Sequence, residues 1–179
     1  MHCNTRPARV ISVARAALLF RTSVIAWLAC GLSSVGLAQP GDLEAITKAA
    51  VIYNDPVDID SVVTVCGRCH AAAMYLTVPR SYTRWEEVFA RMSKHGATGS
   101  DDQLRGVIRF FDRNLTVVNL NTSPAVELEA ALQIDEMSSS KLMQLRQSRK
   151  LSTIADLKGI DGLTPKRLAA MESLGLIQF

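Results

Sequence analysis

Cys66, Cys69 and His70 place two thiols and an imidazole within five residues, Cys66-Gly67-Arg68-Cys69-His70. The spacing Cys-x-x-Cys-His is the attachment signature of a c-type haem. Each thiol adds to a vinyl group of the porphyrin, and the adjacent imidazole reaches the iron as proximal ligand. Two other chemistries use cysteines at this spacing. A zinc site takes four ligands, and the remaining cysteines, Cys3 and Cys30, fall in a stretch that reads as a leader. A thioredoxin-type dithiol sits in a βαβ context, and the flanking sequence shows no pattern of parallel strands. One covalent haem c is the expected cofactor, bound by Cys66, Cys69 and His70.

A haem that transfers electrons takes a second axial ligand, usually Met or His. Met74 is only four residues past His70, too near to reach the opposite face, while Met137, Met143 and Met171 lie in the C-terminal segment. Met92 and His95 remain, beside an open or externally supplied position. Met92 shares an apolar stripe with Trp85, Val88 and Phe89 at i, i+3, i+4 and i+7, although methionines in such stripes also serve simply as core. The expected iron ligands are His70 and Met92, with His95 as the rival. Arg80 is a candidate partner for a haem propionate or a solvated surface arginine.

The elements that position these groups read as helices. Residues 42–51 carry a helical pattern that Asn54-Asp55-Pro56 breaks, and residues 57–65 lead into the cysteines as a short helix. An alanine-rich turn follows His70, and Pro79 comes nine residues after it. Thr83 with Glu86 predicts a capping box for the helix bearing Trp85 and Met92, and Lys94-His95-Gly96 predicts its stop. Ser100 with Gln103 opens the next helix, which carries Leu104, Val107, Ile108 and Phe111 on one face and ends about Asn114. Residues 116–122 read as a linker. Ser123-Pro124 then opens a second set of helices, the last over residues 165–173.

Residues 1–38 hold Arg6, Arg9, Arg15 and Arg21, no acidic residue, an apolar run over 22–32, and Gly36-Leu37-Ala38. The run is short for a membrane span, and the whole reads as a secretory signal peptide; an uncleaved N-terminal anchor is the alternative. Export places the protein in the periplasm, with no membrane contact expected beyond this segment. Those four arginines belong to the 20 basic residues, so 16 remain against 17 acidic ones and the working chain carries a net −1. Its overall charge therefore makes no case for nucleic acid. His70 and His95 are the only histidines outside the leader, and no nucleophile stands beside a free base, so no enzymatic activity is expected.

Residues 39–116 resemble a small class I cytochrome c. Beside the haem motif, Arg80-Ser81, Trp85, Met92 and Gly96-Ala97 in order are similar to a compact subtype found in haem subunits of periplasmic dehydrogenases. The resemblance implies electron transfer, Met92 as the sixth ligand, Pro79 as the residue whose carbonyl orients the proximal imidazole, and a redox partner that is a dehydrogenase with a molybdenum or quinone cofactor. Residues 117–179 resemble the paired helix-hairpin-helix module of ComEA-type DNA receptors. The carrying residues are Asn119-Leu120-Asn121-Thr122, Leu128, the hairpin over residues 131–134, Arg146, residues 151–157, and Gly159-Ile160-Asp161-Gly162-Leu163-Thr164-Pro165. That module implies DNA binding through a Gly-hydrophobic-Gly turn that aims N–H groups at phosphate. Here the first hairpin reads Gln133-Ile134-Asp135-Glu136-Met137, with no glycine, and Thr164 replaces the second glycine of the other. Residues 121–179 carry 7 basic and 7 acidic side chains. The expectation is a retained fold with protein docking in place of DNA binding. The predicted architecture is all-α: a signal peptide (1–38), a cytochrome c-like domain around a covalent haem (39–116) and a helix-hairpin-helix domain (117–179).

Overall fold

The computed structural model describes residues 40–76 and 78–179, which belong to one compact unit, Ser34–Phe179. The expected signal peptide, with Cys3 and Cys30, lies outside the described residues. Among the described residues the chain is mostly helical: α1 (Pro40–Ala49), α2 (Pro56–Cys66), α3 (Tyr82–Lys94), α4 (Asp101–Leu115), α5 (Ala125–Leu132), α6 (Glu136–Ser148) and α7 (Pro165–Ser173), with 3-10 turns at Ala72–Met74 and Ile154–Leu157. No helix among them is long and apolar enough to cross a membrane. Three short strands, β1 (Arg80–Ser81), β2 (Thr116–Asn119) and β3 (Ile177–Gln178), pair in parallel in the order β1-β2-β3. The all-α expectation omits this small sheet.

Local chemistry sets most helix ends. Asp55 caps α2 by accepting from the Val57 N–H at 3.0 Å, and Pro56 occupies the first turn, where its missing N–H costs nothing. Ser100 and Gln103 form the expected reciprocal box at α4, at 2.9 and 3.2 Å. The cap of α3 differs from the expectation. Ser81, not Thr83, accepts from the Arg84 N–H, because β1 holds residues 80–81 extended and the helix begins at once with Tyr82. Thr83 instead donates to Glu127 on α5 at 3.2 Å. Gly96, at φ +92°, ends α3, with the N–H groups of Gly96 and Ala97 returning to Ser93 and Met92 at 3.0 Å each.

Two cores lie within the unit. α1–α4 enclose Ile46, Val62, Trp85, Phe110 and Phe111. The Trp85 and Phe111 rings meet edge to face at 4.5 Å, and the indole N–H donates to the Leu115 carbonyl at 3.0 Å. α2 and α4 approach so closely that a Cβ at Gly106 would stand 2.2 Å from Ser61 Oγ. The second core, over residues 117–179, is aliphatic, with Leu128, Leu132, Leu142 and Met171 fully buried.

The segment expected to be a linker is, in its first four residues, the central strand. Thr116, Val117 and Val118 are β-branched and suit a pleated surface. β2 pairs Arg80–Ser81 on one side, and Val118 and Asn119 pair Ile177 and Gln178 on the other. Side chains tie the halves as well. Buried Asp58 accepts from Arg109 at 2.7 and 3.1 Å and from Arg113 at 3.0 Å, and Arg113 donates to Gln133 at 2.8 Å. The Tyr53 ring takes the guanidinium groups of Arg113 and Arg167 at 5.3 and 4.6 Å.

Candidate functional site

The haem-type motif stands at the C-terminal end of α2. The N–H groups of Cys69 and His70 both donate to the Cys66 carbonyl at 3.3 Å, and Gly67 donates back to Val62. The winding thus continues one turn beyond the helix, and positions i, i+3 and i+4 of such a turn share a face. The structure thereby brings Cys66, Cys69 and His70 together. Both cysteines are free thiols; Cys66 is half-buried and Cys69 exposed, and His70 is half-buried.

Cys66 packs on the aromatic core, as do the partly buried Tyr75, Leu76, Val88 and Phe89, and Tyr75 lies near it. Burial there pushes its thiol up to about 12. A redox dithiol needs the opposite, a thiolate favoured by a helix N-terminus or a nearby cation. Here the first cysteine is at a helix C-terminus and in apolar surroundings.

The loop after α3 approaches the same end of α2. Arg68 donates to the Thr98 carbonyl at 3.4 Å, and a Cβ at Gly99 would meet Val65 at 3.0 Å. Met92 lies on the last turn of α3, half-buried, and is not among the side chains packed on the aromatic core; His95, the helix cap, is exposed. Met74 is 67% exposed. Pro79 directly precedes β1, and the Arg80 guanidinium lies over the Trp85 ring at 5.4 Å.

Two residues at this end carry no recognisable spacing in the sequence. Asp42 is buried and accepts from the Ala72 N–H at 2.8 Å, so α1 anchors the turn that follows His70. The Tyr75 hydroxyl is buried without a hydrogen-bond partner, and burial, with Cys66 and Asp42 nearby, drives its phenol well above the usual range. The two-thiol, one-imidazole face fits a covalently attached haem, which Cys66, Cys69 and His70 would hold. An open cavity of about 400 Å³ between α1 and α2, lined by Leu43, Thr47, Pro56, Ile59 and Val63 among others, shares no residue with the motif.

In the C-terminal half, the left-handed position of the first hairpin is taken by Gln133, at φ +49°. Asp135 caps α6 by accepting from the Ser138 N–H at 2.8 Å, and that bond holds its carboxyl below the usual range. A carboxylate therefore occupies the helix end that a phosphate would need. In the second hairpin Gly162 keeps φ +81° and Thr164 caps α7. Arg167 donates to the carbonyls of Leu132 and Gly162. Asn121 exchanges bonds with Leu151 at 2.9 Å each way, and Arg146 donates to the carbonyls of Leu120 and Ser123. The residues that carry the helix-hairpin-helix resemblance are engaged in holding this half together.

No protein-family model matches the chain, and neither a curated protein nor a solved structure matches it.

Proposed function

We propose that the protein is an exported, periplasmic monohaem c-type cytochrome that carries single electrons. The observation behind this reading is the turn that sets Cys66, Cys69 and His70 on one face, with Cys66 packed on the aromatic core. Cys66 and Cys69 would hold the haem, His70 would ligate its iron, and Met92 is the proposed sixth ligand. The bound haem supplies reversible one-electron exchange. The chain's part is to fix the imidazole next to its two anchors, to cover the group with aromatic and aliphatic side chains, and to limit water at the iron. The donor is proposed to be a dehydrogenase with a molybdenum or quinone cofactor, and the C-terminal half to be the surface that docks a protein partner. The Asp135 cap and the engaged Arg167 favour protein over DNA there.

Absorption spectra of the exported protein, oxidised and reduced, test this beside Met92→Ala and His95→Ala. Covalent haem with a methionine-to-iron charge-transfer band lost only in Met92→Ala is the expected result. Absence of covalent haem sinks the proposal, and loss of low-spin character only in His95→Ala moves the sixth ligand. Binding to duplex DNA that weakens steeply with salt would restore the nucleic-acid reading.

A further inference from the structure

Asp42 and Ile46 stand four residues apart on α1 and are both buried, so they share its inward face. Asp42 lies in the first turn of α1, where the helix favours a negative charge. Its Oδ1 accepts from the Ala72 N–H at 2.8 Å, across 30 positions of sequence. The Ala72–Met74 turn has no side-chain cap at Ala71, and Asp42 serves as its cap from another element. A buried carboxylate is costly unless it is hydrogen-bonded, so the bond fixes both partners. Only Ala71 separates Ala72 from His70, whose own N–H donates to the Cys66 carbonyl at 3.3 Å. The backbone of His70 is thus tied on both sides, by the end of α2 before it and by α1 after it. Asp42 and Cys66 both act, after burial, to push the Tyr75 phenol up, which sets Asp42 on the motif's side of the core.

Resting on the haem reading above, we infer that Asp42 is a positioning residue for the iron ligand, acting through the Ala72 N–H to fix the imidazole of His70. A ligating histidine is oriented by the groups that hold it as well as by the metal. The thioether at Cys69 would restrain the chain before His70, and the motif itself holds nothing after it. Asp42 supplies that second restraint without touching the haem.

The test compares the haem-loaded parent with Asp42→Ala and Asp42→Asn by NMR of the ferric protein. The hyperfine-shifted ring protons of His70 report the angle of the imidazole plane to the haem. Asp42→Ala is expected to displace these signals or split them into more than one set. Asp42→Asn keeps an Oδ1 acceptor for Ala72 and is expected to retain the parent positions. Parent positions in Asp42→Ala overturn the inference, and so does an Asp42→Asn displaced as far as Asp42→Ala. Amide hydrogen exchange at Ala72 in the parent is a second readout that needs no variant. Slow exchange is expected, and exchange as fast as in an exposed turn counts against the anchor. If the parent carries no covalent haem, it is the haem reading that fails, while exchange at Ala72 still reports on the bond to Asp42.

Discussion

Trp85, Phe110 and Phe111 fill the core of the N-terminal half, whereas the C-terminal half is packed by aliphatic chains such as Leu128, Leu132 and Leu142. The aromatic half has half-buried side chains packed against its core, Cys66, Tyr75 and Phe89 among them, and the Tyr75 hydroxyl is buried without a partner. The aliphatic half ties Asn121, Arg146 and the capping Asp135 internally, although the Nε of Arg167 is buried there without a partner. Flat rings suit the cover of a flat apolar group, and branched aliphatics suit a core that closes on itself at crystal-like density. Under the haem reading proposed above, the first half would enclose the cofactor and the second would stand as a scaffold.

The largest expected effect separates the halves directly. Leu142→Ala removes a fully buried side chain and should cost about 2–5 kcal/mol whether or not haem is attached. If haem is held as proposed, Phe89→Ala, half-buried against the aromatic core, should cost more in the haem-loaded protein than in the haem-free one. Denaturant unfolding of both forms checks this, and equal losses at Phe89 would erase the distinction.

A smaller effect belongs to the helix crossing that holds the motif. Gly106→Ala drives a methyl into Ser61 and should destabilise by about 1–3 kcal/mol, read as a lower Tm. An unchanged Tm would show that α2 can move away from α4 freely.

The smallest effect depends on pH. Asp112, on α4, is raised to about 6 by burial and by Glu86 on α3, against the opposing pull of Arg113, and faces Tyr82 as well. A carboxyl raised in the folded state contributes stability below its unfolded value of 3.8, and that contribution is lost as pH climbs through about 6. Asp112→Asn should therefore stabilise the protein by roughly 1–2 kcal/mol above pH 6, with the gain fading towards pH 4. Thermal unfolding across that range checks the sign, and a gain that grows towards low pH would refute it.

Much of the fold was legible because it is local. The Ser100–Gln103 box, the Gly96 stop and the Pro165 start depend on neighbours within a turn. The Thr83 cap was misplaced because β1, formed with a strand 36 residues away, fixed the helix start first. The sheet itself escaped notice, since strands of two residues are too short to display the period-two alternation that marks a strand.

By itself the sequence determined that Cys66, Cys69 and His70 share one face, because one helical turn puts i, i+3 and i+4 together wherever the chain goes. Only the tertiary structure decided how that site is surrounded. It buried Cys66 and left the Tyr75 hydroxyl without a partner, and the Asp42 anchor and the clamp of Arg109 and Arg113 on Asp58 join residues 30 to 55 positions apart. Such contacts form when packed helices close long loops, and no short-range pattern in the chain encodes them.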